Sequence, residues 1–80
     1  MKVMIHRCPV CPLIGSHAAH QATALRRELG AQVQVLDGYR GEYTVTADGR
    51  VIAETIRGWL PSIQEVQATL RRQAPRKAGL

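Results

Sequence analysis

The chain opens on a short β-rich run, Lys2-Val3-Met4-Ile5-His6, that stops at Cys8-Pro9-Val10-Cys11-Pro12, whose prolines cannot donate to a sheet ladder. This predicts a first strand over Lys2–His6. Beyond Gly15, Ala18, Ala22, Leu25 and Leu29 recur at helical spacing, with His20, Gln21, Arg27 and Glu28 largely on the other side. The amphipathic helix they predict ends at Leu29: Gly30 suits a left-handed terminator, and Arg26 and Arg27 complement the last turn's carbonyls. From Ala31 to Leu36, Val33 and Val35 alternate with glutamines, the pattern of a second strand with one covered face.

After a loop through Asp37, Gly38 and Gly41, two β-branched runs, Glu42–Thr46 and Arg50–Thr55, flank Ala47-Asp48-Gly49, a hairpin signal. Pro61 closes the next loop. Ser62 and Glu65 then form a Ser-x-x-Glu capping box before an apolar stripe of Ile63, Val66 and Leu70, so a second helix is expected to about Arg72. The predicted order is β-α-β-β-β-α. A helix between strands one and two makes a parallel crossover the default, and the hairpin adds antiparallel strands. That is the order of a reduced thioredoxin-like α/β fold, with a mixed four-stranded sheet and two helices. Residues 1–73 make one domain, and 74–80, with Pro75, Arg76, Lys77 and Gly79, read as a basic flexible tail.

Eighty residues bury only about 60% of their unfolded surface, so a single domain with one functional site is expected. No apolar run approaches the ~20 residues of a membrane span, and Met1–His6 reads as strand rather than signal peptide. The net charge of +5 comes from eleven basic residues, nine of them arginine, spread from Lys2 to Lys77. Only Arg71, Arg72, Arg76 and Lys77 cluster, and no set of stacking aromatics accompanies them, so the sequence reads as a solvated basic face favouring acidic partners rather than as a nucleic-acid surface.

Two cysteines are too few for the framework of a small secreted domain, which points to the cytoplasm. Cys8 and Cys11, three apart at a helix start, can reach disulfide distance with little backbone motion. Cys8 is expected nearest the free amides of the helix terminus, with Arg7 beside it, and therefore as the attacking thiolate; Cys11, a turn in, is expected to be less exposed and to resolve the mixed disulfide. Pro12 removes an amide there, so the helix is expected to begin irregularly, or only near Ser16. The residues leave two other readings open. One is a zinc site, which would need two ligands from His6, His17 and His20; the other is a partner-binding module with no redox turnover. The dithiol reading calls for no cofactor and no metal.

The arrangement resembles the selenoprotein W-like (Rdx) family of thioredoxin-like proteins over roughly residues 2 to 73. The likeness is carried by Val3-Met4-Ile5-His6-Arg7-Cys8-Pro9-Val10-Cys11, the helix end Leu25 to Gly30, Gly41-Glu42-Tyr43-Thr44-Val45, Asp48-Gly49-Arg50-Val51-Ile52 and Gly58-Trp59-Leu60-Pro61. His6-Arg7 replaces the family's aromatic before the first cysteine, and Tyr43 and Leu60 stand where its patterns carry phenylalanine. Thioredoxins and glutaredoxins place a proline before the third strand; Gly38-Tyr39-Arg40-Gly41 stands there instead, which favours this branch. The resemblance implies thiol redox chemistry at Cys8 and Cys11, with protein thiols or glutathione as partners.

His6 and Arg7 are candidates for tuning the pair, and Tyr39 with the single tryptophan, Trp59, for a client-binding rim. His17 and His20, three apart on the first helix, are expected to be solvated. An exposed edge strand would also allow a homodimer.

Overall fold

The structure, a computed structural model, describes residues 1–73, and the segment 74–80 read as a tail lies outside the described residues. The elements are β1 (Lys2–Arg7), α1 (Pro12–Leu29), β2 (Gln32–Asp37), β3 (Tyr43–Ala47), β4 (Arg50–Glu54) and α2 (Ile63–Gln73), in the expected β-α-β-β-β-α order. The sheet runs β2-β1-β3-β4. β1 pairs parallel with β2, Val3 opposite Val33 and Ile5 opposite Val35, and antiparallel with β3, Val3 opposite Ala47 and Ile5 opposite Val45. This is the thioredoxin-like α/β arrangement.

Side chains alternate across a strand, so Val3 and Ile5 share one sheet face with Tyr43, Val45 and Ala47. All five are buried with Ala18, Ala22 and Leu25 of α1 and Val66 and Leu70 of α2 in one core. Both helices therefore cover the same face. The opposite face, with Met4, His6, Thr44 and Thr46 in its middle, is half-buried by its own neighbours alone. On the edge strand β2, Arg26 Nη2 donates to the Val33 carbonyl at 2.9 Å, occupying one of that strand's acceptors.

The ends of the elements follow local chemistry. α1 begins at Pro12, not near Ser16: proline at the first helical position has no amide to leave unpaired, and its fixed φ suits the turn. Gly30 stops α1 in the left-handed region at φ 61°. Asp48 and Gly49, at φ 49° and 87°, form the two-residue turn between β3 and β4. At the start of α2 the Glu65 amide donates to Ser62 Oγ at 3.0 Å and the Ser62 amide to Glu65 Oε1 at 3.1 Å, the reciprocal capping box.

Gln21 departs from its expected place among the solvent-facing residues of α1. It is fully buried because α2 packs against that side of the helix, where Gln67 meets it. Tyr43 Oη donates to Gln21 Oε1 at 3.4 Å, Gln21 Nε2 to Gln67 Oε1 at 2.9 Å, and Gln67 Nε2 to Glu28 Oε1 at 3.0 Å. Arg71 closes the chain at the surface on Glu28. Among the described residues no buried side-chain nitrogen or oxygen lacks a partner.

Candidate functional site

Cys8 and Cys11 are joined in a disulfide, with Cα atoms 5.5 Å apart, inside the range such bridges require. Cys8 ends β1. Its amide donates to the Glu42 carbonyl at 2.8 Å, while the Gly38 amide donates to the Arg7 carbonyl at 2.8 Å. The segment from Gly38 to Glu42 thereby crosses the end of β1, tied to Arg7 on one side and to Cys8 on the other. A side chain at Gly38 would run into the Glu42 carboxylate, which is held there by the Tyr39 amide and the Thr44 hydroxyl.

The expected order of exposure is reversed. Cys8 is 1% exposed, whereas Cys11 is half-buried. Cys11 is also the N-cap of α1, in extended conformation, and its carbonyl accepts the first helical bond, from the Gly15 amide at 2.9 Å. Pro12 lacks an amide, so those of Leu13 and Ile14 are left facing the cap position. The first turn holds no acidic residue, and nothing there offsets the positive end of the helix dipole. The positive end of the α1 dipole therefore lies at Cys11 rather than at Cys8.

Arg7 is engaged elsewhere. Its Nη1 meets Asp37 Oδ1 at 2.6 Å, directly across the β1–β2 ladder. His6 lies between Leu36 and Thr44 in register, on the face without helices, so it does not share the side that carries the core. His20 is exposed on α1. His17 is not the solvated residue expected: Nε2 sits 2.7 Å from the Pro61 carbonyl oxygen, and its ring meets Tyr43 edge-on with centroids 5.1 Å apart. Its place is set by the loop before α2, which helical spacing within α1 does not reveal. The three histidines thus occupy three different environments, and among the described residues no group of three or more His, Cys, Asp or Glu side chains is arranged to hold a metal ion.

Tyr43 is fully buried, and burial raises its phenol above the usual value, so it stays protonated as a hydrogen-bond donor. The ends of β1, β2 and β4 and the start of β3 lie at one end of the sheet. The exposed apolar residues Val10, Leu13, Tyr39, Ile56 and Trp59 belong to this end, with Tyr39 69% and Trp59 80% exposed. Sequence reasoning found Tyr39 and Trp59 but missed Ile56. Ile56 and Trp59 face each other in a two-residue hairpin: the Trp59 amide donates to the Ile56 carbonyl at 2.9 Å, and the reverse bond measures 3.2 Å.

Among the described residues no helix is long and apolar enough to cross a membrane. No family model and no curated protein sequence matches the chain. A crystal structure of a protein from Bordetella parapertussis, solved as a structural-genomics target, superposes with a TM-score of 0.78 at 18% identity, covering 90% of this chain and 95% of that one. That likeness is one of fold.

Proposed function

We propose that the chain is a dithiol redox protein of selenoprotein W-like type that cycles between the Cys8–Cys11 disulfide and the free thiols. Its partners are protein thiols or glutathione, and its compartment is the cytoplasm. The observation that carries this reading is the asymmetry of the pair: a partly exposed cysteine at the cap of α1, bonded to a buried one at the end of β1. Thiol exchange needs one accessible sulfur that bears charge readily and a second within bonding reach that outside disulfides do not touch first.

With the pair reduced, the Cys11 thiolate attacks one sulfur of a client disulfide. That S–S bond breaks, and the client's other sulfur leaves as a thiolate. Cys8, losing its proton, then attacks the Cys11 sulfur; the mixed disulfide breaks, and the second client thiolate leaves. Two electrons pass from the dithiol to the client, whose thiolates take up the protons. The cycle runs backwards when the client is more reducing.

Equilibration against a series of thiol/disulfide buffers tests this. Mass analysis should find the loss of two hydrogens on oxidation, confined to the Cys8–Cys11 peptide, with one two-electron midpoint. Two thiols that stay free across the series would end the redox reading.

A further inference from the structure

The hairpin from Ile56 to Trp59 is built to display side chains rather than to bury them. Arg57 and Gly58 have φ of 50° and 81°, the conformation of a tight two-residue turn, and Arg57 is one of two non-glycine residues in the left-handed region among the described residues. The other, Asp48, is of a type that tolerates this region; arginine is not. Ile56 and Trp59, directly opposed with both backbone bonds made, project to the same side of the hairpin. Both stay largely exposed, Ile56 at 64% and Trp59 at 80%. Such apolar area on a small domain marks a contact surface.

The tip is held at the disulfide end of the sheet from two sides. The Thr55 amide donates to the Tyr43 carbonyl at 2.9 Å, and the Pro61 carbonyl is bound by His17. Cys8 ends β1 and Thr55 follows β4, with β3 between them, so they stand two strand spacings apart, about 10 Å. Ile56, Trp59, Leu60 and Pro61 line a groove together with Glu54 and Glu65.

Charge is divided along this path. Arg40 belongs to the segment that crosses the end of β1, and Arg57 to the tip; both are exposed and neither pairs with a carboxylate among the described residues. Asp37 is paired with Arg7, and Glu42 accepts from the Tyr39 amide and the Thr44 hydroxyl and keeps its charge. Arg40 and Arg57 thus stand as exposed cations without an ion-pair partner among the described residues, while Glu54 and Glu65 put negative charge in the lining of the groove.

Resting on the redox reading above, we infer that the Ile56–Trp59 hairpin is the docking element for a protein client. Its ligand is an extended segment bearing acidic residues beside its reactive cysteine and a large apolar residue three or four positions away. An extended chain advances about 3.3 Å per residue, so three or four residues cover the two strand spacings between the ends of β1 and β4, on which the cysteine pair and the hairpin are mounted. A second copy of the chain is disfavoured as occupant, since its net charge of +5 brings like charge to like.

The probes are three disulfides offered to the reduced protein: oxidised glutathione, a synthetic peptide with glutamates beside its cysteine and a leucine three positions on, and the same peptide with lysines for glutamates and serine for leucine. The acidic-apolar peptide should be reduced about tenfold faster than the basic one, an advantage that shrinks with salt. In the Ile56→Ser/Trp59→Ser variant, the rate ratio of the acidic-apolar peptide to glutathione should fall about tenfold. An unchanged ratio with all three probes reduced overturns the docking assignment and leaves the redox reading standing. Failure to reduce any probe removes the redox reading and the docking claim with it.

A second measurement needs no variant and no chemistry. Trp59 is the only tryptophan, so with the peptide's cysteine replaced by serine, docking on unaltered protein should move its emission to shorter wavelength. An emission that does not move under saturating peptide overturns the assignment.

Discussion

The Nε2 atom of His17 lies 2.7 Å from the carbonyl oxygen of Pro61, and through this pair α1 holds the loop that leads into α2. The acceptor is a carbonyl, so Nε2 carries the hydrogen. His17 lies six positions beyond the Cys11 cap, about 9 Å along the helix. The helix that presents the outer sulfur is therefore the one that anchors the display hairpin. His17→Ala removes the hydrogen bond and the edge contact with Tyr43, which together should cost about 1–2 kcal/mol. The melting temperature should drop by roughly 4–8 °C for each kcal/mol. His17→Gln, which keeps a donor, should recover part of the loss. Thermal unfolding of both variants checks this, and an unmoved midpoint in the alanine variant would mean that the contact holds nothing.

The two thiols should differ in reach. When the reduced protein is treated briefly with iodoacetamide, Cys11 should be alkylated about tenfold faster than Cys8, because Cys8 is buried whereas Cys11 is partly exposed at the N-cap of α1. Peptide mapping across a time course gives the two rates. A matching trap experiment uses Cys8→Ser, which should accumulate a mixed disulfide with glutathione, whereas Cys11→Ser should not. Faster labelling at Cys8 would reverse the roles given to the pair.

The glutamine pair between the helices should act as a unit. Gln67→Leu leaves the buried Nε2 of Gln21 with only its long 3.4 Å contact to the Ile63 carbonyl and should cost about 1–3 kcal/mol. Changing both residues to leucine removes the under-satisfied Gln21 amide along with the bond, and the Tyr43 hydroxyl loses its acceptor as it already does in Gln21→Leu, so the double variant should be less unstable than the sum of the single ones. Chemical denaturation of the four proteins in the cycle measures that coupling. Strict additivity would show that the two amides do not depend on each other.

Much of the fold is legible from neighbouring residues alone. Asp48-Gly49 needs only its own φ values to make a turn, Gly30 only its lack of a β-carbon, and Ser62 and Glu65 only their spacing to cap α2. What escaped depends on chain segments far apart in sequence. Gln21 reads as polar until α2 is laid beside it with Gln67, 46 positions away. His17 reads as solvated until Pro61, 44 positions on, places a carbonyl against it. The order of exposure in the cysteine pair turns on Glu42 crossing the end of β1, and nothing in Cys-Pro-Val-Cys announces that crossing. The Arg57-Gly58 turn escaped for a different reason: arginine is a poor left-handed residue, so local preference argues against the conformation it adopts.

Alkaline stability should depend on Tyr43. Its phenol is pushed above the ordinary value of about 10 by burial, so above that pH the unfolded chain loses a proton that the folded chain keeps. The unfolded state then binds fewer protons, and stability falls as pH rises, by about 1.4 kcal/mol per pH unit from this group. The contribution is fully present below pH 10 and is lost above it. Tyr43→Phe keeps the ring against His17 but cannot ionise, so its stability above pH 10 should fall less steeply than that of the unaltered protein. Denaturation midpoints measured from pH 8 to 11 give both slopes. Parallel curves would mean that Tyr43 contributes nothing to alkaline unfolding.

Arg57 sets stability against display. An arginine held at φ 50° is strained, whereas asparagine followed by glycine suits the same two-residue turn. Arg57→Asn should therefore raise stability by about 0.5–1 kcal/mol, with Ile56 and Trp59 still opposed across the turn. It also removes the exposed cation at the tip of the hairpin, which pairs with no carboxylate among the described residues. Reduction of the acidic-apolar peptide should slow and lose part of its dependence on salt, while the melting temperature rises. A substitution that improves the turn and weakens the exchange would mean that the strained arginine is kept for its charge. If the melting temperature rises with no change in the salt dependence, Arg57 is merely tolerated, and the positive charge that steers a client rests with Arg40 alone.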